Sequence, residues 1–311
     1  MSDVHALRPV SDRPLAISLL LGVSGWVAGL FLLVFVALLI RPEDPAPAAA
    51  LGIVLLGAAW VLFLVDRDGD AVFLGQLGLA LAIAGQCLVL WAVAGLKVDA
   101  TSVTASALVL EVALAWLMPN RLSRVLSILF ATVAWALTMR FAIIGEPEDW
   151  SHGHARGPVS LMIVLAGWLA TWLPVMGALW WAVRNEPSWR ARGWTGLTAP
   201  LLTGLVAGLA FATLLSEPFE NDHWFGSGEA ATPGLALWPL LSALGALGAL
   251  VAAFALRRRA LAATCAVAAL LHVGHFYWAL GTSLLVKSLV MLVMGAGLLA
   301  AARLLRPKEQ T

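Results

Sequence analysis

Apolar residues occur along the chain in ten long runs, separated by short segments rich in charged residues, proline and glycine. A helix that crosses a bilayer needs about 20 apolar residues, with a range of roughly 17–25. Cutting the chain at the charged clusters therefore predicts an all-α bundle of about ten transmembrane helices. Their predicted bounds are 15–40, 47–65, 71–96, 101–118, 122–144, 158–183, 195–215, 232–256, 260–280 and 283–305. No stretch between these helices is long enough for a soluble domain, so residues 1–311 are predicted to form a single integral-membrane domain.

Basic residues are distributed unevenly between the two ends of the predicted helices. With ten crossings, 14 of the 19 lysines and arginines lie on the same side as the N-terminus. The five on the opposite side are Arg41, Lys97, Arg140, Arg156 and Lys287. Because loops rich in lysine and arginine stay in the cytoplasm, this threading predicts an inner-membrane protein with both termini in the cytoplasm.

The composition agrees with a chain that lies in a lipid bilayer. It is 61% hydrophobic and 12% charged, whereas a soluble domain is about 45–50% apolar and about 25% charged. The formal net charge of +1 argues against nucleic acid as a partner. The first apolar run, 15–40, is also longer than the roughly 7–15-residue apolar region of a secretory signal. We therefore expect it to be retained as the first helix.

Ionisable and polar side chains inside the predicted helices are the candidates for chemistry. A charged group at membrane depth costs about 2.5–3.5 kcal/mol on insertion scales, so such groups usually face other helices or a hydrated cavity. The candidates are Glu111, His272, His275, Tyr277 and Lys287. We interpret them as one buried polar cluster.

The short turn at 281–282 is the basis for placing these residues at matching depths. Residues equally far from that turn lie level with each other, which pairs His275 with Lys287, and Glu111 near the middle of the fourth helix is a further partner. His272 and His275 share one helical face because they are three residues apart. Three alternatives stay open: Lys287 reaches the headgroups along its own stem, the histidines are a satisfied core pair, or the fourth helix is re-entrant or tilted.

The two longest predicted outer loops, 145–157 and 216–231, contain a second group of candidates. The possible metal ligands there are His152, His154 and His223, together with the acids Glu146, Asp149, Glu220 and Asp222. Histidines in His-x-His spacing beside acidic residues are a weak signal for a divalent metal. Haem is disfavoured, because His272 and His275 lie on one helix and cannot bracket one iron. The sequence identifies no other cofactor.

The C-terminal hairpin resembles a known family. Residues 276–299, FYWALGTSLLVKSLVMLVMGAGLL, are similar to the closing segment of a bacterial membrane family catalogued as domain of unknown function 4401. The matching positions are Phe276, Tyr277, Leu280, Gly281, Leu284, Leu285, Lys287, Ser288, Gly297, Leu298 and Leu299. The opening segment LLGVSGWVAGLFLLVF, 20–35, also resembles the first helix of the family. Trp278 and Val286 depart from the family pattern at positions where another aromatic or polar residue, often an acid, is expected.

The resemblance implies an inner-membrane protein without an assigned reaction. Members of that family often occur beside a second polytopic protein of unknown function and a small protein named for a Gly-Asp-Tyr motif. Other small and polytopic membrane proteins are therefore the implied partners. The resemblance implies no catalytic residues.

Two functional hypotheses follow. The favoured one is a non-enzymatic component of a membrane complex, in which the buried polar cluster serves transport or sensing, because the chain contains no nucleophile elbow, phosphate-binding loop or zinc-protease motif. The alternative is a membrane enzyme that uses the histidines and acids of the outer loops, with a divalent metal.

Overall fold

The computed structural model describes residues 15–39, 45–66, 71–144, 161–216, 237–255, 259–279 and 282–304, and every regular element in these ranges is an α-helix. The helices are α1 (Leu15–Leu39), α2 (Pro45–Val65), α3 (Val72–Gly95), α4 (Ala100–Leu117), α5 (Arg121–Ile144), α6 (Leu161–Ala191), α7 (Thr195–Ser216), α8 (Leu237–Ala255), α9 (Arg259–Ala279) and α10 (Leu284–Leu304). The all-α class is therefore confirmed.

Six helices of the described ranges are long and apolar enough to cross a membrane. The stretches that qualify are Pro45–Val65, Val72–Gly95, Ala100–Leu117, Arg121–Ile143, Leu165–Ala191 and Leu261–Trp278. The apolar stretches of α1, α7, α8 and α10 are shorter. The chain thus has the helices of a membrane protein, while ten crossings and the cytoplasmic location of both ends stay predictions.

The predicted and observed helix ends differ most at the end of α6. The apolar run ends near residue 183, but the helix continues to Ala191. Side chains hold this extension together: Asn185 donates a hydrogen bond to the carbonyl of Trp181 over 2.8 Å, and Arg190 forms an ion pair with Glu186 at 2.7 Å. The charged residues mark the end of the apolar segment, and the helix itself ends later.

The chain divides into two compact units, residues 1–98 with 116–123 and residues 99–115 with 124–311. In the first unit, α3 packs against both α1 and α2. The backbones of α2 and α3 lie close together at Gly52 and Gly85, where a Cβ on either residue would lie 2.8 Å from the carbonyl oxygen of the other. Small residues allow such contact where lipid offers no hydrophobic drive between helices.

The first unit also contains one polar contact between α1 and α3. The indole Nε1 of Trp26 donates a hydrogen bond to Oε1 of Gln76 over 2.9 Å. Gly25 lies against the same glutamine, because a Cβ at this position would lie 2.8 Å from that of Gln76. The glycine therefore lets α1 approach α3 closely beside this hydrogen bond.

The second unit has its main core between α5, α6 and α7. The buried residues of this core are Ile128, Val175, Ala182, Leu202 and Leu205. Glycines again allow two helices to pack closely: Gly204 and Gly208 of α7 lie against Ile128 and Thr132 of α5. The indole of Trp135 donates to the carbonyl of Ala170 over 3.2 Å and ties α5 to α6.

A smaller core in the same unit joins α8, α9 and α10. Phe276 of α9 is fully buried there together with Ala243 of α8, and the partly exposed Val290, Met291 and Met294 of α10 pack against them. The helix α9 also contacts α7. These packing contacts fix the rotation of α9 and with it the positions of the two histidines.

Candidate functional site

Glu111 is the acid of α4, and it points into the protein. Its side chain is only 3% exposed, although most of the other residues of α4 are partly buried or exposed. Within α4 only Glu111 and Leu114 are buried, while Val109 and Trp116 are 69% and 65% exposed. The rotation of α4 therefore directs its one ionisable side chain away from the exposed face of the helix and toward α5.

Ser127 of α5 is the polar side chain that faces this carboxyl. Its hydroxyl is the hydrogen-bonding group that acts on Glu111, and Ser127 itself is fully buried. Even so, Oε2 of Glu111 and Oγ of Ser127 are both buried without a well-formed hydrogen bond. The two groups therefore have unused hydrogen-bonding capacity toward each other or toward a small ligand.

A second polar contact joins the same two helices. Oγ1 of Thr138 donates to Oγ1 of Thr104 over 2.9 Å and also lies 2.7 Å from the carbonyl of Ala134. Thr104 and Glu111 are seven residues apart, which places them two turns apart on one face of α4. The interface of α4 and α5 is thus lined by polar side chains at two levels.

Asp99 caps the N-terminus of α4 from a position just outside the helix. Asp99 accepts hydrogen bonds from the backbone N–H and the hydroxyl of Ser102. The Ser102 hydroxyl lowers the pKa of Asp99 below its ordinary value, since the bonds favour the charged form. An aspartate in this position satisfies backbone donors that the helix leaves open.

Lys287 of α10 lies against an aromatic ring of α9. Its ammonium nitrogen is 5.0 Å from the centre of the Tyr277 ring, close enough for a cation–π interaction. Counting from the turn had paired Lys287 with His275, two residues earlier in α9. Tyr277 belongs to the predicted cluster, and the structure brings these two members together.

His272 is held at the contact of α9 with α7. Its ring is 2% exposed, and Nε2 lies 3.0 Å from the carbonyl oxygen of Ala210. His275, one turn later, is partly buried and makes contacts of its own. The contacts of Glu111, Lys287 and His272 therefore fall at three helix pairs, and a single cluster that joins them stays a prediction.

The sequence of the whole chain matches one family. The profile described as domain of unknown function (DUF4401) matches residues 14–307, nearly the full length. The chain belongs to the DUF4401 family. The resemblance seen in the C-terminal hairpin is therefore confirmed, and the match extends across both compact units of the DUF4401 chain.

Neither a curated protein nor a solved structure matches this DUF4401 chain. The description of the family assigns no activity. Candidate roles must therefore come from the chemistry of the residues themselves.

The predicted metal ligands of the DUF4401 protein lie outside the described residues. These are His152, His154 and His223 and the four acids beside them. Within the ranges that the structure does describe, no group of three histidine, cysteine or acidic residues is arranged to hold a metal ion. The metal site stays a prediction about the two outer loops.

Ser127, Thr104 and Thr138 are the site residues that hydropathy missed. A signal for Ser127 was present, because Glu111 and Ser127 lie at equal distances from Pro119 in the short turn between α4 and α5. Residues at equal distances from a tight antiparallel turn face each other. The same count applied to this hairpin would have identified the partner of Glu111.

Proposed function

We propose that this DUF4401 protein is a non-enzymatic component of a multi-protein complex in the bacterial inner membrane, and that the Glu111 site serves transport or sensing within it. The observation that supports the proposal is the burial of Glu111 opposite Ser127, where no cation of the described residues forms an ion pair with it. Acids at membrane depth are costly and are commonly retained for function.

A comparison with the other buried glutamate strengthens this view. Glu186 is equally buried at 3%, but Arg190 balances its charge at 2.7 Å. Glu186 therefore has a structural reason to be present, because it holds the last turns of α6 together. Within the part of the chain that the structure describes, no such ion pair accompanies Glu111, and the side chain that acts on it is a neutral serine.

The orientation in the membrane is proposed from the distribution of basic residues. With ten crossings both ends lie on the side that carries 14 of the 19 basic residues, which is the cytoplasmic side by the positive-inside rule. Reporter fusions at each terminus test this: activity of a cytoplasmic reporter is expected at both ends. Termini on opposite sides would contradict an even number of crossings.

The complex is tested by affinity purification of the tagged chain from native membranes after mild cross-linking. We expect co-purifying membrane proteins in stoichiometric amounts with the wild type, and their loss or a loss of cellular function with Glu111→Ala or Lys287→Ala. Glu186→Gln is the matched control at equal burial. Wild-type behaviour of both alanine variants, with normal membrane insertion, would remove these residues from the function.

The alternative of a metal-dependent membrane enzyme has its own test. If His152, His154 and His223 bind a divalent metal, the purified protein contains stoichiometric metal that is lost when these three residues are replaced by alanine. Absence of stoichiometric metal from protein purified without chelators would contradict the alternative.

A further inference from the structure

The residues around Glu111 point to one kind of ligand. We propose that Glu111 and Ser127 form a proton-binding site inside the membrane, in which the neutral carboxylic acid and the serine hydroxyl are hydrogen-bond partners across α4 and α5. This inference rests on the proposed role of the Glu111 site and names the ligand of that site.

The hydrogen-bonding capacity of the two side chains fits the neutral acid. A protonated carboxyl group has one O–H donor and retains acceptor capacity, and a serine hydroxyl has one donor and two lone pairs. The two groups can therefore donate and accept in turn. Proton uptake forms one O–H bond on the carboxylate and breaks one O–H bond of a hydronium ion, which leaves as water.

The charged form of Glu111 has no cation and no full set of hydrogen bonds to stabilise it among the described residues. The hydroxyl of Ser127 is the polar side-chain group that acts on Glu111, and Oε2 of Glu111 has no well-formed hydrogen bond. An unpaired charge at membrane depth is costly, and the penalty disappears when the group is neutralised. Closure of α4 on α5 therefore favours the proton-bound state.

Charged groups on the neighbouring helices are engaged elsewhere or distant along the chain. On α5, Arg121 is the exposed first residue of the helix, Arg124 donates to the carbonyl of Gly196 over 3.0 Å, and Arg140 lies 13 residues beyond Ser127. On α6, Glu186 is paired with Arg190. Glu111 is the one charged residue of α4, and α7 contains none between its first and last residues.

A divalent metal ion fits the same site poorly. Calcium takes about 6–8 oxygen ligands and magnesium requires near-octahedral coordination. The two side chains together supply the two carboxylate oxygens and one hydroxyl oxygen, and the backbone carbonyls within α4 and α5 are committed to their own helices. A proton requires only the two groups that are present.

The proposal is tested by infrared difference spectra, recorded between low and high pH, of the protein reconstituted in lipid. A protonated carboxyl group has a carbonyl band that is separate from the bands of a carboxylate. We expect a neutral-acid band from a solvent-shielded group that is lost in Glu111→Gln and shifted in Ser127→Ala. The band should be unchanged in Glu186→Gln, the variant of the equally buried but ion-paired glutamate. Glu111→Gln replaces the neutral acid by a group of the same shape, so it is expected to fold.

Two results would overturn the proton site. One is a spectrum without a neutral-acid band that depends on Glu111 at any pH at which the protein is folded. The other is loss of that band when sodium, magnesium or calcium chloride is added at constant pH, which would assign the site to a metal cation. Both outcomes are independent of partner proteins, so they are distinguishable from failure of the proposed complex, which leaves the band in place.

Discussion

The α2/α3 pair and the α4/α5 pair are both helix hairpins, yet different chemistry holds each one closed. At α2/α3 the backbones meet through Gly52 and Gly85, and the buried residues of α3 are small or apolar apart from Gln86. At α4/α5 a carboxyl group, a serine and two threonines lie between the helices. The first contact depends on shape alone. The second contact includes a hydrogen bond between two threonines, and the proton site proposed above would add one that depends on the protonation of Glu111.

This difference suggests separate roles for the two hairpins. A contact made by shape has no titratable part and is either formed or lost. The proposed contact of Glu111 with Ser127 would have two chemical states within one fold, with the acid charged or neutral. Among the described helices, the proposed proton site would make the α4/α5 hairpin the one whose packing responds to a chemical signal, whereas the glycine contact of α2 and α3 has no such response.

Gly52→Leu should have the largest effect of the variants considered, because it destroys the shape-based contact. A Cβ at this position already lies 2.8 Å from the Gly85 carbonyl and from the Val89 side chain. Overpacking typically costs about 1–3 kcal/mol, which a thermal unfolding curve in detergent would register as a clearly lowered midpoint. Gly57→Leu in the same helix is the control, since a Cβ there meets nothing within 4 Å. Equal midpoints for the two variants would contradict the assigned contact.

Glu111→Gln and Ser127→Ala, alone and together, measure the polar contact. Hydrogen bonds between membrane helices average about 0.6 kcal/mol and reach about 1.7 kcal/mol. We expect the two substitutions to be non-additive by an amount in this range, measured from unfolding free energies in a double-mutant cycle. Strict additivity would show that the two side chains do not act on each other.

Thr138→Val should have a smaller effect. The substitution removes the hydrogen bond to Thr104 while it nearly preserves shape, but Thr104 keeps an acceptor within its own helix, the Ala100 carbonyl at 3.1 Å. A loss of about 0.6 kcal/mol is expected. Ser106→Ala is the control, since the Ser106 hydroxyl bonds to the Ser102 carbonyl of the same helix. A larger loss for the control than for Thr138→Val would contradict the interhelical role of Thr138.

Asp99→Asn should have the smallest effect, and one that depends on pH. The pKa of Asp99 is lowered by its hydrogen bonds to Ser102, so the native state binds the proton less readily than the unfolded chain. This contribution is present above the ordinary aspartate value of about 3.9 and is lost as the pH falls through the lower native value. The wild type should therefore lose thermal stability more steeply than Asp99→Asn under acid conditions. Parallel pH profiles would contradict this capping role.

The positions of the helices were predictable because apolar length and charge determine them. The start of α7 at residue 195 and the end of α2 at 65 match the prediction. The end of α6 was predicted eight residues early, at 183 instead of Ala191. Hydropathy reports where the apolar segment stops, and it does not detect the side-chain contacts that continue a helix beyond it.

Side-chain partners were harder to predict than helices. Glu111 was expected to face inward because a charge is costly at membrane depth. The structure buries it opposite Ser127, and its grouping with the histidines and Lys287 stays a prediction. Pairing residues at equal distances from a turn assumes that the two helices leave the turn symmetrically. For the tight α4/α5 turn this rule pairs Glu111 with Ser127, which the structure places opposite it. For the α9/α10 turn the rule pairs Lys287 with His275, whereas the ring that Lys287 contacts is that of Tyr277.

The inward position of Glu111 also bears on how the chain enters the membrane during synthesis. The helix α4 is 18 residues long, at the short end of what spans a bilayer, and a charge within it opposes its insertion as a single segment. Ser127 emerges from the ribosome only after α4 is complete. The two helices should therefore leave the translocation channel as a pair, so that α4 remains in a sheltered, partly wet site until α5 arrives beside it.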